Sequence, residues 1–171
     1  MPETKKATFM RLYEPVHERF ERFCKARVYG EMDYKDLVHD TVVIAFEKFN
    51  PTVESASFLS FLFGIAIRIL SNNKKRAARR SEHIRSLHTR NFTDNQNVQQ
   101  DEIAHLYQAL NTLPDIQKET IILFEIIGYS IKEISELQSS TEGAIKQRLH
   151  RGRNELKRIL SLPVESIKTT K

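Results

Sequence analysis

The chain has 171 residues, 40% of them hydrophobic and 29% charged, with a net charge of +5. That length suits one medium domain or two small ones with modest cores, and it excludes a fibrous or disordered class. One cysteine, Cys24, excludes an intramolecular disulfide, so no oxidising compartment is required and the thiol is expected to be a small buried group.

Only five Gly and five Pro interrupt the chain, and its long helix-period stretches leave little room for alternating strands, so an all-α fold is expected. The N-terminal MPETKKATF lacks the apolar core of a signal peptide. The greasiest run, FLSFLFGIAIRIL, is interrupted by Ser60, Gly64 and Arg68 and is too short to span a bilayer. A cytoplasmic protein with no membrane insertion is expected.

In chain order, Phe9, Leu12, Tyr13, Val16, Phe20 and Phe23 form one helical stripe. Leu37, Val38, Thr41, Ile44 and Ala45, with Lys48 and Phe49, form a second. Phe58 to Leu70 is apolar almost all round, the pattern of a helix in the middle of a bundle. Residues Ser81 to Gln100 are polar, Asn- and Gln-rich and weakly periodic, which reads as a boundary. The predicted organisation is an N-terminal domain over 1–80, a flexible linker over 81–100, a C-terminal domain over 101–162 and a tail over 163–171.

Beyond the linker, Ile103, Leu106, Tyr107, Leu110 and Leu113 make a helix that Pro114 stops. Asp115 starts the next, which runs out at Gly128, a residue suited to the left-handed cap. Ser130 followed by Glu133 is a capping box, and Ser139 followed by Glu142 offers a second. Two short helices thus meet across Leu137 to Ser140, the arrangement of a helix-turn-helix. The second helix keeps a seam of Ile145, Leu149, Gly152, Leu156, Ile159 and Leu160 and sets Lys146, His150, Arg153 and Lys157 on another face, with Gln147 and Arg151 beyond them.

Charge is segregated along the chain. Arg68 to Arg90 holds eight basic residues against Glu82 alone, a net of +7, and Thr141 to Leu160 has a net of +4. Val28 to Ile67 has a net of −4 and Asn91 to Ile127 a net of −5. Two basic blocks alternate with two acidic ones, and the basic face of the last helix suits an anion unless it is simply a solvated surface.

Ala109 to Leu156, ALNTLPDIQKETIILFEIIGYSIKEISELQSSTEGAIKQRLHRGRNEL, resembles the C-terminal promoter-binding region of bacterial sigma factors of the extracytoplasmic-function type. The resemblance is carried by Leu113, Pro114, Gly128, Ser130, Glu133, Ile134, Gly143, Lys146, Arg148, Leu149, Arg151 and Arg153. DYKDLVHDTVVIAFEKF followed by SFLSFLFGIAIRILSNNKKRAARR is similar to the family's N-terminal conserved region. Departures are His39 where Gln is usual, Arg68 where Asn is frequent, Ala144 where Thr is common, and Gln138, Ser139 and Ser140 where the family has Gly flanked by apolar residues.

The resemblance implies a dissociable specificity subunit that binds core RNA polymerase, places it at promoter DNA and helps open the duplex, restrained by an anti-sigma partner. It implies polymerase docking through Asp36, Leu37, His39 and Asp40. It assigns the downstream promoter element and its backbone to the loop Asn50 to Ser57 with Phe61, Arg68, Asn72, Lys74, Lys75, Arg76, Arg79 and Arg80. The upstream element falls to Lys146, Gln147, Arg148, His150, Arg151 and Arg153, of which Arg148 and Arg153 are assigned to phosphates. Arg151 has an alternative partner in Glu155 at i, i+4. Phe58, Phe61 and Phe63 carry two readings, core packing or a stacking platform for bases.

Asp36 and Asp40 lie one helical turn apart, but no third ligand stands near them, and the six His are scattered. No glycine-rich phosphate loop is present. No catalytic, cofactor or metal site is expected, and the protein is not read as an enzyme. Two other readings compete: a stand-alone helix-turn-helix regulator with an N-terminal dimerisation bundle, and a helical adaptor whose basic faces bind acidic proteins.

Overall fold

The computed structural model describes residues 4–52, 55–81 and 98–161. Among these there are eight α-helices, one π-helical turn and no strand. The chain divides into two compact units, Met1–Asn91 and Phe92–Lys171. Most of the expected linker lies outside the described residues, since helix continues to Ser81 and resumes at Val98.

The first unit holds α1 (Lys5–Tyr13), α2 (His17–Arg27), α3 (Tyr34–Lys48) and α4 (Ser55–Ser81). The expected single stripe from Phe9 to Phe23 is split between α1 and α2 by a turn at Glu14–Val16. Pro15 is the cause: it brings no N–H to continue the ladder, although Glu14 before it keeps helical backbone at φ −50° and ψ −46°. Both halves still face one core. Phe9 meets Phe46, Phe49 and Phe58 edge-on at ring separations of 5.3 to 5.4 Å. Phe23 packs on Phe63 at 4.5 Å, and Cys24, Leu37, Leu62 and Ala66 are fully enclosed.

The helix α4 packs against α1, α2 and α3, as an all-round apolar helix must. By length and composition Ser55–Arg80 resembles a membrane span, but Phe58, Leu62, Phe63 and Ala66 are its buried core positions in this unit. From Ser71 to Arg80 every residue is exposed. The helix therefore changes role along its axis, from core to a basic solvent-facing rod.

The second unit holds α5 (Val98–Asn111), α6 (Asp115–Ile121), a π turn (Ile122–Ile126), α7 (Ile131–Leu137) and α8 (Glu142–Leu160). Its core gathers Leu110, Leu113, Ile122, Leu123, Ile134, Ile145, Leu149 and Ile159. Of the seam expected on α8, Leu156 is only half-buried and Leu160 is exposed. Ile103 and Leu106, expected on the buried stripe of α5, are likewise exposed. Gly152 lies where a Cβ would stand 3.0 Å from Ile121 Cγ1, so α6 and α8 approach closely there.

The sequence predicts a plain helix to Gly128, whereas the structure inserts the π turn. Ile127 N–H donates to the Ile122 carbonyl and Tyr129 N–H to that of Leu123, and Gly128 then takes φ +80°. The wider turn rotates Phe124 and Glu125 toward α8, as their contacts with Arg153 show.

Candidate nucleic-acid interface

The helix-turn-helix is built by local chemistry at each end of its helices. At the start of α7 the capping box forms in full: Ser130 N–H donates to Glu133 Oε2 at 2.8 Å, and Glu133 N–H donates to Ser130 Oγ at 3.2 Å. At its end, Ser140 N–H donates to the Ser135 carbonyl at 2.9 Å and Ser139 N–H to that of Glu136 at 3.3 Å. This crossed pair is a Schellman motif, with Ser139 in the left-handed position at φ 46°.

The second capping box expected from Ser139 and Glu142 is not formed. Ser139 is consumed in ending α7, and the cap passes to Thr141, whose Oγ1 accepts from Ala144 N–H at 3.1 Å. The polar turn has a physical role of its own. Gln138 Oε1 accepts from Arg148 Nη1 at 2.8 Å and lies 3.0 Å from the Thr120 hydroxyl of α6. A hydrogen-bonded node joins turn, α6 and α8 where apolar contact was absent from the sequence.

On α8, Lys146, Gln147, His150 and Arg151 are exposed, side by side on the face away from the buried edge. Asn154 Nδ2 lies 3.0 Å from His150 Nε2, which pairs two exposed polar groups one turn apart. Glu155 is taken by Arg158 at 2.6 Å, so it does not neutralise Arg151. Beside this row, Lys146, His150, Arg153 and Lys157 rim a recess of about 330 Å³ floored by Phe124 and Ile131. Such a cationic edge on a well-anchored helix suits phosphates and base edges.

Two residues assigned to phosphates are engaged elsewhere. Arg148 is half-buried and held by Gln138. Arg153 forms an ion pair with Glu125 at 2.6 Å, with its guanidinium 5.2 Å from the Phe124 ring centre. Both partners of that pair are 46% exposed, so the pairing costs little to exchange for a phosphate.

On the first unit, α3 is capped by Asp33, whose Oδ1 accepts from Lys35 N–H at 2.9 Å. Asp36, His39 and Asp40 are exposed on one side of this helix. Leu37 is 0% exposed and belongs to the core; a side chain enclosed by its own unit cannot present itself to a polymerase. His39 and Asp40 border a groove of about 580 Å³ whose other wall is Asn72, Lys75, Arg76 and Arg79 of α4. The fold thus brings residues assigned to polymerase and residues assigned to DNA onto one groove.

The remaining α4 residues Arg68, Lys74 and Arg80 are exposed. Asn50 is exposed, and its Oδ1 accepts from Thr52 N–H at 3.2 Å, which shapes the loop before α4. Ser57 lies inside the first turn of α4 rather than in that loop, and residues 53–54 lie outside the described residues. Phe61 is half-buried, 6.1 Å from Phe58, while Phe58 and Phe63 are fully enclosed core residues and not stacking platforms. Among the described residues no group of three or more His, Cys, Asp or Glu is placed to hold a metal ion.

Sequence reasoning missed Asn154, Gln138, Phe124 and Glu125. Asn154 was legible, since it stands at i+4 from His150. The others act across 10 to 29 residues of chain, where only tertiary packing decides the neighbour.

The family model described as Sigma-70, region 4 matches residues 103–156, from α5 into α8. The chain is 28% identical over 157 residues to the ECF RNA polymerase sigma factor SigD of Mycobacterium tuberculosis, covering 84% of this chain and 73% of that protein. It is 24% identical to the ECF RNA polymerase sigma factor SigX of Bacillus subtilis, covering 94% of this chain and 87% of that one. The sigma factor RpoE from Bartonella quintana, solved in complex with the anti-sigma factor NepR, shares the fold at a TM-score of 0.75 and 23% identity, over 90% of this chain and 97% of that chain. CnrH, solved in complex with the cytosolic domain of CnrY, does so at 0.63 and 24%, over 92% and 89%. The region 4 match thus spans the helix-turn-helix, and the relatives that align along most of this chain are sigma factors of extracytoplasmic-function type.

Proposed function

We propose that the protein is an alternative sigma factor that binds core RNA polymerase, directs it to specific promoters and helps melt them. The observation that carries this reading is the exposed row Lys146, Gln147, His150 and Arg151 on a helix whose opposite edge is buried, behind a fully capped helix-turn-helix. In this reading α8 enters the major groove of the upstream element. Its exposed side chains contact base edges, each good pair worth about 1–3 kcal/mol of discrimination.

The basic rod Ser71 to Arg80 supports contact with the DNA backbone near the downstream element, with Arg68 and Asn72 at its base. Asp36, His39 and Asp40 supply the polymerase contact, their acidic charge matched to a basic surface. The domain limits proposed are 1–80 and 101–162, joined through 81–100. An anti-sigma factor is the proposed restraint, because the RpoE relative was solved in complex with one. A cytoplasmic location and a role as a binding subunit without catalysis accord with the family.

The stand-alone regulator is not favoured, since the curated relatives are sigma factors along most of this chain. The test is transcription by reconstituted core polymerase over a random promoter library. The full chain is expected to confer transcripts from a shared promoter sequence. If core polymerase gains no specificity while the chain alone binds a palindromic site tightly, the regulator reading replaces this one.

A further inference from the structure

Gln138 is half-buried in the turn between α7 and α8, with its Oε1 2.8 Å from Arg148 Nη1 and 3.0 Å from the Thr120 hydroxyl. Its Nε2 is buried without a hydrogen-bond partner. An unpaired buried N–H is unfavourable, so some stronger demand must hold the amide in this orientation. The guanidinium supplies it. Arg148 has only donors, and a flipped amide would set N–H against N–H, whereas the observed orientation gives a charge-assisted bond. Thr120 adds a second contact from α6; its hydroxyl also lies 2.6 Å from the Ile116 carbonyl and, having one proton, donates to one of the two at a time.

The consequence lies on the DNA side of α8. Lys146, Gln147 and Arg151 are exposed, while Arg148, in the same stretch, is half-buried and turned to the loop. A cation that reaches a phosphate releases counterions and steepens the salt dependence of binding by about 0.9 in the log–log slope. A cation held by the protein's own turn adds nothing to that slope.

We propose that Gln138 withholds Arg148 from the DNA backbone, making the arginine a strut that fixes the seating of α8 on the turn instead of a phosphate ligand. Gln138 is in this sense a positioning residue, acting through Arg148. The inference rests on α8 being the helix that reads the promoter.

The experiment measures binding of the reconstituted polymerase holoenzyme to a promoter recovered from the library, as log affinity against log salt concentration. Arg148→Met is expected to leave the slope at the parent value. Gln138→Met, which keeps the shape and removes the acceptor, is expected to steepen it by about 0.9. The double variant should return to the parent slope, and Gln138→Glu, which keeps an acceptor for Arg148, should match the parent. A slope reduced by about 0.9 in Arg148→Met, or unchanged in folded Gln138→Met, overturns the proposal. Should Gln138→Met fail to fold, Arg148→Met alone still decides it. Lys146→Ala separates the two levels: if it leaves promoter affinity unchanged at every salt concentration, the reading of α8 fails, and otherwise only the role of Gln138 is at stake.

Discussion

Single residues carry both the anchoring of α8 and its chemistry. A Cβ at Gly152 would already meet Ile121 at 3.0 Å, with Leu113 at 3.8 Å behind it. Gly152→Val adds two further methyls at that contact and is expected to destabilise the second unit by about 1–3 kcal/mol, read as a lowered midpoint in thermal unfolding. In the first unit, burial, with a smaller contribution from the charge of Glu21, pushes the Cys24 thiol far above its ordinary value. A thiol that stays protonated when folded stabilises the protein fully below the unfolded pKa of about 8.5 and loses that contribution as pH rises beyond it. Denaturant titrations at pH 7.5 and 9.5 should therefore differ by about 1.4 kcal/mol more in the parent than in Cys24→Ala. If the exposed row of α8 reads DNA as proposed, Lys146→Ala should weaken promoter-directed transcription about ten- to a hundredfold, measured with reconstituted polymerase, while leaving the melting temperature unchanged.

At the scale of the element, the turn between α7 and α8 is a compromise. Ser139 occupies the left-handed position of the Schellman motif, where an L-residue is strained by about 1–2 kcal/mol and glycine is not. Glycine's larger loss of backbone entropy offsets part of this. Ser139→Gly is accordingly expected to raise stability by about 0.5–1 kcal/mol, checked by chemical denaturation. The turn tolerates serine because its neighbours compensate: Gln138 ties Arg148 and Thr120 together, and Thr141 caps α8. The π turn works in the same local way, its extra residue presenting Phe124 and Glu125 to Arg153.

For the whole molecule, the acidic and basic blocks should separate into distinct losses. Asp36→Asn with Asp40→Asn is expected to slow association with core polymerase roughly tenfold at low salt, and less at high salt, in a binding assay. The fold should be unaffected, since both side chains are exposed and the α3 cap belongs to Asp33. Unchanged association would remove these residues from the docking surface. The groove places His39 and Asp40 opposite Asn72, Lys75, Arg76 and Arg79, so the acidic stretch of α3 sits beside the cations of α4 because the two helices are packed neighbours.

The sequence by itself determined whatever is written in periodicity, capping and charge. The all-α class, the capping box at Ser130, the buried edge of α8 and its exposed basic row are local properties, set by neighbours within about one helical turn. Tertiary structure alone decided which intramolecular partner each cation has. Arg148 and Arg153 read as DNA ligands in sequence but are held by Gln138 and by Glu125 with Phe124, and Leu37 reads as a docking residue but is enclosed by its own unit. The reason is physical: a side chain's partner across a fold is chosen by packing between elements distant in the chain, and no period in the sequence encodes that proximity.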